Sequence, residues 1–220
     1  HYPLRRQRQM CIRDSFGTAL IFFATFLFAA FMRSGDIKTV LLALATAIGG
    51  GALILKIKPY IAKRFNTWGH AIEYASDGGF QQAHVLTYLA SGGLFGVGIG
   101  NGFLKYVFAS ESDLVFGIVC EELGIIVGFV LIIAILCLAI YTRDIATRSR
   151  STFYSISACC AAGLFIVQMS LNVFGATDIL PLTGVTFPFV SAGGSSMISC
   201  WGLLAFIKAA DERTYSQKRG

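Results

Sequence analysis

The chain has 220 residues, of which 55% are apolar and only 14% charged, where an ordinary soluble domain carries about a quarter charged residues. Apolar runs near the length of about 20 residues that a bilayer-spanning helix needs recur along it, which excludes a single water-soluble core. The formal net charge of +6 does not mark a nucleic-acid binder, because the Lys and Arg residues sit in short clusters between the apolar runs and form no basic face.

Residues 1–15 (HYPLRRQRQMCIRDS) carry four arginines and no periodicity, and are expected to be either a cytoplasmic basic flank or a non-native addition. Because the chain opens on His1 and not on Met, a fragment of a longer protein is expected. A first span is predicted over Phe16 to Met32 and a second over Ile37 to Ile57, joined by the short turn Arg33-Ser34-Gly35-Asp36. Gly49-Gly50-Gly51 sits inside the second span, where small residues permit close helix approach. Residues 58–79 turn polar and basic, with Trp68 as an interfacial anchor, and are read as a loop or surface helix.

Residues 80–95 are short and less apolar, which fits a broken or tilted span that lines protein. After a glycine-rich connection over 96–113, a long run from Leu114 to Tyr141 predicts the clearest span of the chain. Further spans follow over Phe153 to Phe174 and Phe189 to Ile207, giving an all-α polytopic membrane bundle with about six crossings over residues 16–208 and a charged tail over 209–220. Alternating these crossings against the Lys and Arg clusters places both termini and residues 58–79 in the cytoplasm, with residues 96–113 and 176–188 outside.

Five of the six cysteines (Cys120, Cys137, Cys159, Cys160 and Cys200) lie inside apolar runs, with no C-x-x-C spacing or nearby histidine. They read as small buried hydrophobes, not as a disulfide framework or a zinc site.

Three stretches hold candidate chemistry, all on the predicted outer side. Residues 91–100 (SGGLFGVGIG) lack the strand and the Lys-Ser/Thr pair of nucleotide loops, so tight backbone turning is the simpler reading, with exposed N–H groups as a second use. Lys105 and the acidic Glu111-Ser112-Asp113 follow, then Glu121 and Glu122 further into the long run. Asp113 reads either as an N-cap or as a functional carboxylate, and the two glutamates as structural or functional acids. Residues 180–196 (LPLTGVTFPFVSAGGSS) combine prolines, glycines and hydroxyls and cannot form one regular helix, which suits an irregular segment facing a polar lipid head group.

Taken in order, these segments resemble the SEDS (shape, elongation, division and sporulation) glycosyltransferases over about residues 14–208. Asp14 to Leu20 is similar to a P-D-L-G-T motif in shifted form, and Lys58-Pro59-Tyr60 through Arg64 to a K-P-Y-Q-x-x-R loop. Phe80-Gln81, the S-G-G-L-F-G-V-G-I-G segment and Lys105 follow at family spacing. Ser112 to Phe116 with Glu121 to Gly124 resembles T-D-F-I-F…E-E-L-G, and Gln168, Asn172, L-P-L-T-G and P-F-V-S-A-G-G-S-S resemble the closing motif. The chain departs from the family at Phe108-Ala109, Glu111-Ser112 and Ala192, which bears on subfamily.

The resemblance implies polymerisation of lipid II, the undecaprenyl-pyrophosphate-linked disaccharide-pentapeptide, beside a class B penicillin-binding protein (a transpeptidase) in the bacterial cytoplasmic membrane. It implies Asp113 as the general base that activates a sugar hydroxyl. For the substrate it implies Lys105, Gln81, Gly92, Gly93, Pro188, Ser191, Gly193, Gly194, Ser195 and Ser196, with cationic side chains or a divalent cation to offset the departing pyrophosphate. Family members are about twice as long, so this chain alone is expected to be inactive. A flippase of lipid-linked precursor is the alternative, since broken helices and membrane acids also describe transporters.

Overall fold

A computed structural model of the chain describes residues 15–57, 67–76, 79–108, 110–149 and 151–211. Most of the predicted flank and tail (1–14 and 212–220) and the basic loop 58–66 lie outside the described residues. The helices, in chain order, are α1 (Ser15–Ser34), α2 (Ile37–Ile57), α3 (Phe80–Gly92), a 3-10 turn at Leu104–Tyr106, α4 (Ser110–Asp113), α5 (Val115–Leu123), α6 (Ile125–Thr147), α7 (Thr152–Ala176) and α8 (Gly194–Ala209). Among the described residues no strand forms, and a lone bridge joins Ser149 to Asp211.

Helices stand where the six spans are expected. Three are long and apolar enough to cross a membrane, over Gly17–Ser34, Ile125–Thr147 and Thr152–Ala176, with shorter apolar helices over Ile37–Gly51 and Gly194–Ala209. Local chemistry sets their ends. Gly35, at φ 64°, stops α1 while its N–H returns to Phe31 O at 2.8 Å, and Asp36 starts α2 by accepting from the Lys38 N–H at 2.9 Å, the N-cap use of an aspartate.

The run read as one span over 114–141 is two helices. Gly124 sits at φ 90°, ψ 160°, a conformation that residues with a Cβ avoid, and a Cβ there would lie 2.1 Å from Leu94 O. The helix therefore stops at Leu123 and a new one starts at Ile125. Its 23 residues rise about 35 Å, enough for a hydrocarbon core of about 30 Å.

The predicted sidedness requires correction. Trp68 Nε1 donates to Ile179 O at 2.9 Å, and the Gly69 and Ala71 N–H groups donate to the Asp178 carboxylate. The end of α4 meets the same segment, through Ser191 Oγ to Ser112 O at 2.7 Å and the Ala192 N–H to Glu111 O at 3.0 Å. Residues 67–76, 110–113 and 178–192 thus share one end of the bundle. The chain leaves that end at α3 and returns to it by α4, so α3, with 13 residues and about 20 Å of rise, does not carry it across. Five helices remain that run between the two ends. Gly17 packs on Thr183 and Val185 and Gly163 on Phe28, so α1 begins at the Asp113 end while α8 finishes at the other, where Asp211 bridges Ser149.

The principal core lies among α6, α7, α8 and the 187–190 stretch. Phe165, Phe187, Ile145, Ile207 and Cys200 are almost wholly buried there, and the Phe116 and Phe187 rings stack at 6.5 Å. A smaller cluster of Val85, Leu104, Leu114 and Ala176 lies under α3, the 3-10 turn and α5. Phe22, Phe26, Leu42, Ile48, Phe129 and Ile140 are more than half exposed, a surface that suits lipid and not water. Gly49, Gly50 and Gly51, expected to allow close approach, have nothing within 4 Å of where a Cβ would stand.

Candidate active site

The C-terminal end of α7 organises the outer assembly. Asn172, 2% exposed, donates its Nδ2 to Asp113 O at 2.9 Å and to Val185 O at 2.7 Å. One amide therefore joins two segments that are distant in the sequence. Ser191 repeats the device: its hydroxyl donates to Ser112 O at 2.7 Å and accepts from the Phe187 N–H at 2.8 Å. The acidic turn and the Pro-Gly-Ser segment, read as separate motifs, form one unit.

Asp113 is the last residue of α4 and is half-buried. Capping does not account for it. The N-cap position of α5 is Leu114, and no side-chain hydrogen bond caps that helix.

The glycine loop is a set of turns. Gly93, Gly96, Gly98 and Gly100 have φ between 56° and 102°, the region glycine enters without strain. Its N–H groups are engaged internally: Gly96 on Gly92 O, Val97 on Glu121 O, Gly98 on Glu122 O, and Gly100 on the Glu122 carboxylate at 3.0 Å. Gly92 packs so closely that a Cβ would lie 2.4 Å from Cys120 O. These glycines supply the turns of the loop.

Glu121, 1% exposed, accepts from the Phe103 N–H at 2.7 Å and the Leu104 N–H at 2.9 Å. It satisfies the start of the 3-10 turn, so its role is to hold the loop. Lys105, in that turn, directs its ammonium to Gly100 O and over the Tyr106 ring, 5.3 Å from the centroid. Gln81 donates to Phe108 O at 2.9 Å, tying α3 to the approach to α4.

A cleft of about 660 Å³ opens between α1, α7, α8 and residues 184–186. Its polar lining is Thr18, Gln168, Thr186, Ser195, Ser196 and Ser199, and its apolar wall includes Ile21, Phe22, Leu164 and Leu203. Among the described residues Gln168 Oε1 is buried without a hydrogen-bond partner, and the Thr186 and Ser196 hydroxyls meet at 2.9 Å. Of the predicted substrate residues, Ser195 and Ser196 line this cleft. Gly193 and Gly194 begin α8 beside it, whereas Pro188 and Ser191 are buried in the packing.

Sequence reasoning missed Gln82 and Asp178 and read Trp68 only as an interfacial anchor; together they hold Trp68, Gly69, Ala71 and the start of α3 to the segment after α7. The positive φ of Asp178, 59°, has no signature in a single sequence. Among the described residues no group of three or more His, Cys, Asp or Glu gathers, so the donor set does not suit a protein-caged ion.

Residues 8–216 match the FtsW/RodA/SpoVE family, described as cell cycle protein. The chain is similar to a probable peptidoglycan glycosyltransferase FtsW of Lactococcus lactis, 37% identical over 191 residues, covering 82% of this chain and 46% of that protein. It is also similar to a peptidoglycan glycosyltransferase RodA of Mycobacterium leprae, 28% identical over 198 residues, covering 90% and 43%. The fold matches a solved chain described as "Structural coordination of polymerization and crosslinking by a peptidoglycan synthase complex", with TM-score 0.66 at 24% identity, covering 87% of this chain and 54% of that one. The chain spans about half the length of the curated relatives it matches.

Proposed function

The chain belongs to the FtsW/RodA/SpoVE family of cell cycle proteins, and from that membership we propose that it supplies the C-terminal half of a peptidoglycan glycosyltransferase acting on lipid II at the outer face of the bacterial cytoplasmic membrane. The sidedness rests on charge. Among the described residues, Arg33, Lys38, Arg143, Arg148 and Lys208 stand at the end of the bundle away from Asp113, against Lys56 and Lys105 toward it, and on that count the end away from Asp113 is taken as the cytoplasmic one.

The observation that carries the reading is the fastening of the Asp113 turn to residues 184–196 by Asn172 and Ser191, a segment whose Gly184, Val185, Thr186, Ser195 and Ser196 line the cleft. In the proposed reaction the Asp113 carboxylate accepts the proton of an acceptor-sugar 4-hydroxyl as that oxygen attacks the donor's anomeric carbon. The bond from that carbon to the lipid pyrophosphate breaks, and the electron pair leaves with the pyrophosphate. Lys105, whose backbone carbonyl accepts from the Ser110 hydroxyl at the start of α4, is the proposed cation to offset that charge. Thr186, Ser195, Ser196 and Gln168 offer hydroxyls and an amide to the sugar and head group, with the apolar wall beside the prenyl chain. A class B penicillin-binding protein is the proposed partner, cross-linking the strands formed.

The test is Asp113→Asn in the full-length protein that carries this chain, assayed for conversion of labelled lipid II to polymer. Loss of a positioned base costs about 10² to 10⁴-fold in rate, while the amide preserves size. A mutant that keeps more than about a third of the parent's rate removes Asp113 from the reaction, because that loss lies far below the general-base range.

A further inference from the structure

The end of α7 is gripped from a second direction, by residues that play no part in the reaction just described. Asp178 holds a φ of 59°, a left-handed conformation uncommon outside glycine and tolerated by aspartate. Its Oδ1 accepts from the Gly69 N–H at 3.2 Å and from Gln82 Nε2 at 3.1 Å, and its Oδ2 accepts from the Ala71 N–H at 3.1 Å. Gln82, 4% exposed, also reaches Gly175 O at 2.9 Å and Leu180 O at 3.3 Å. Trp68 closes the group on Ile179 O.

These bonds fix where α3 begins. From there the helix carries the constraint toward Asp113 by packing: Val85 lies against Gly117 of α5, Gly92 against Cys120 and Glu121, and Gln81 bonds Phe108 just before α4. Val85 and Leu114, the residue after Asp113, share one buried cluster with Leu104 and Ala176. Asn172 grips the Asp113 turn directly, whereas Asp178 and Gln82 grip the start of the helix that backs it.

We propose that Asp178 and Gln82 form a latch and act as positioning residues for Asp113, holding α3 and residues 67–76 so that the carboxylate meets its substrate in one geometry. The inference rests on the glycosyltransferase reading for its kinetic consequence, and on the hydrogen bonds alone for its structural one. A misplacement of about 1 Å can cost on the order of 10²-fold in rate, and because affinity comes from other groups, the loss falls on kcat and leaves KM nearly unchanged.

Asp178→Gly in the full-length protein that carries this chain is the discriminating variant. Glycine accepts the same φ and removes both acceptor oxygens, so it opens the latch without adding strain. Turnover of labelled lipid II is expected to fall about tenfold with KM within about twofold, and amide hydrogen exchange over residues 67–76 to accelerate. Asp178→Asn keeps an oxygen for Gly69 and Gln82, and is expected to retain about half the rate, with faster exchange at Ala71 alone. Gln82→Ala repeats the glycine phenotype, and the double variant adds little because the two residues act as a unit. Unchanged exchange in Asp178→Gly shows there is no latch; accelerated exchange with unchanged kcat overturns the positioning role. If the glycine variant cannot be purified, an asparagine variant matching wild type in both rate and exchange overturns the proposal. Asp113→Asn is run alongside: if it polymerises normally, the base assignment fails, and the exchange measurement still judges the latch.

Discussion

Glu121→Gln separates a structural acid from a chemical one. The carboxylate is 1% exposed and accepts two backbone N–H groups, from Phe103 at 2.7 Å and Leu104 at 2.9 Å. Glutamine has the same shape, yet only one of its terminal atoms can accept, so one N–H faces an NH₂ donor. A charge-assisted bond contributes about 1.5–3 kcal/mol, and the surviving bond loses its charge assistance. The expected loss is about 3 kcal/mol. At about 2–4 °C per kcal/mol for a chain of this size, the melting temperature falls by about 6–12 °C. Thermal unfolding in nanodiscs measures this, and lipid II polymerisation assayed well below the transition should be nearly normal. The reasoning is refuted if Glu121→Gln melts like wild type while its rate drops about 10²-fold or more, since that pattern belongs to a catalytic acid or base.

Further outcomes follow from the same geometry. Ser191→Ala deletes a hydroxyl that bonds both Ser112 O and the Phe187 N–H, and with Phe187 only 1% exposed it should cost about 2–3 kcal/mol in thermal or denaturant unfolding. Impermeant maleimide applied to intact cells should label Ile72→Cys and Ile179→Cys alike, both being well exposed, and should miss Thr147→Cys at the opposite end; labelling of Thr147→Cys alone reverses the orientation. The 220-residue chain expressed by itself should insert into membranes and yield no polymer, because it spans only about half the length of the relatives it matches and a site between helices needs walls from the whole protein. Glycan synthesis by that chain alone would show the site to be complete.

Much of the helical framework was legible as apolar runs: α1, α2 and α7 begin and end within about two residues of the predicted spans, because lipid imposes a length and a composition at once. Sidedness was not, and the reason is α3. Its sequence, FQQAHVLTYLASG, is as apolar as a helix packed on protein must be, and composition alone does not distinguish that from a short span. Counting it as a crossing reverses the side of every element before it, yet leaves Asp113 on the side first expected, since the elements after it keep their order. The acidic turn and the 184–196 segment were each legible as motifs, but not their fastening, which depends on Asn172 and Ser191 reaching across 59 and 79 residues. Asp178 and Gln82 left no trace in any local pattern; each is one polar residue whose partners lie 93 to 109 residues away.

The bend at Gly124 has a consequence for depth. Run straight, α5 and α6 would make a rod from Val115 to Thr147 of about 50 Å, against a hydrocarbon thickness of about 30 Å, and its upper third would stand clear of the membrane. Folding back at a single residue brings Phe116 and Cys120 down beside Gly128 and sets Asp113 level with Asn172, one turn from the end of α7. In the proposed reaction a water-soluble sugar meets the Asp113 carboxylate at the height where a prenyl chain is still held in lipid. One glycine dihedral, more than any side chain around it, acts as the depth gauge that makes the two coincide.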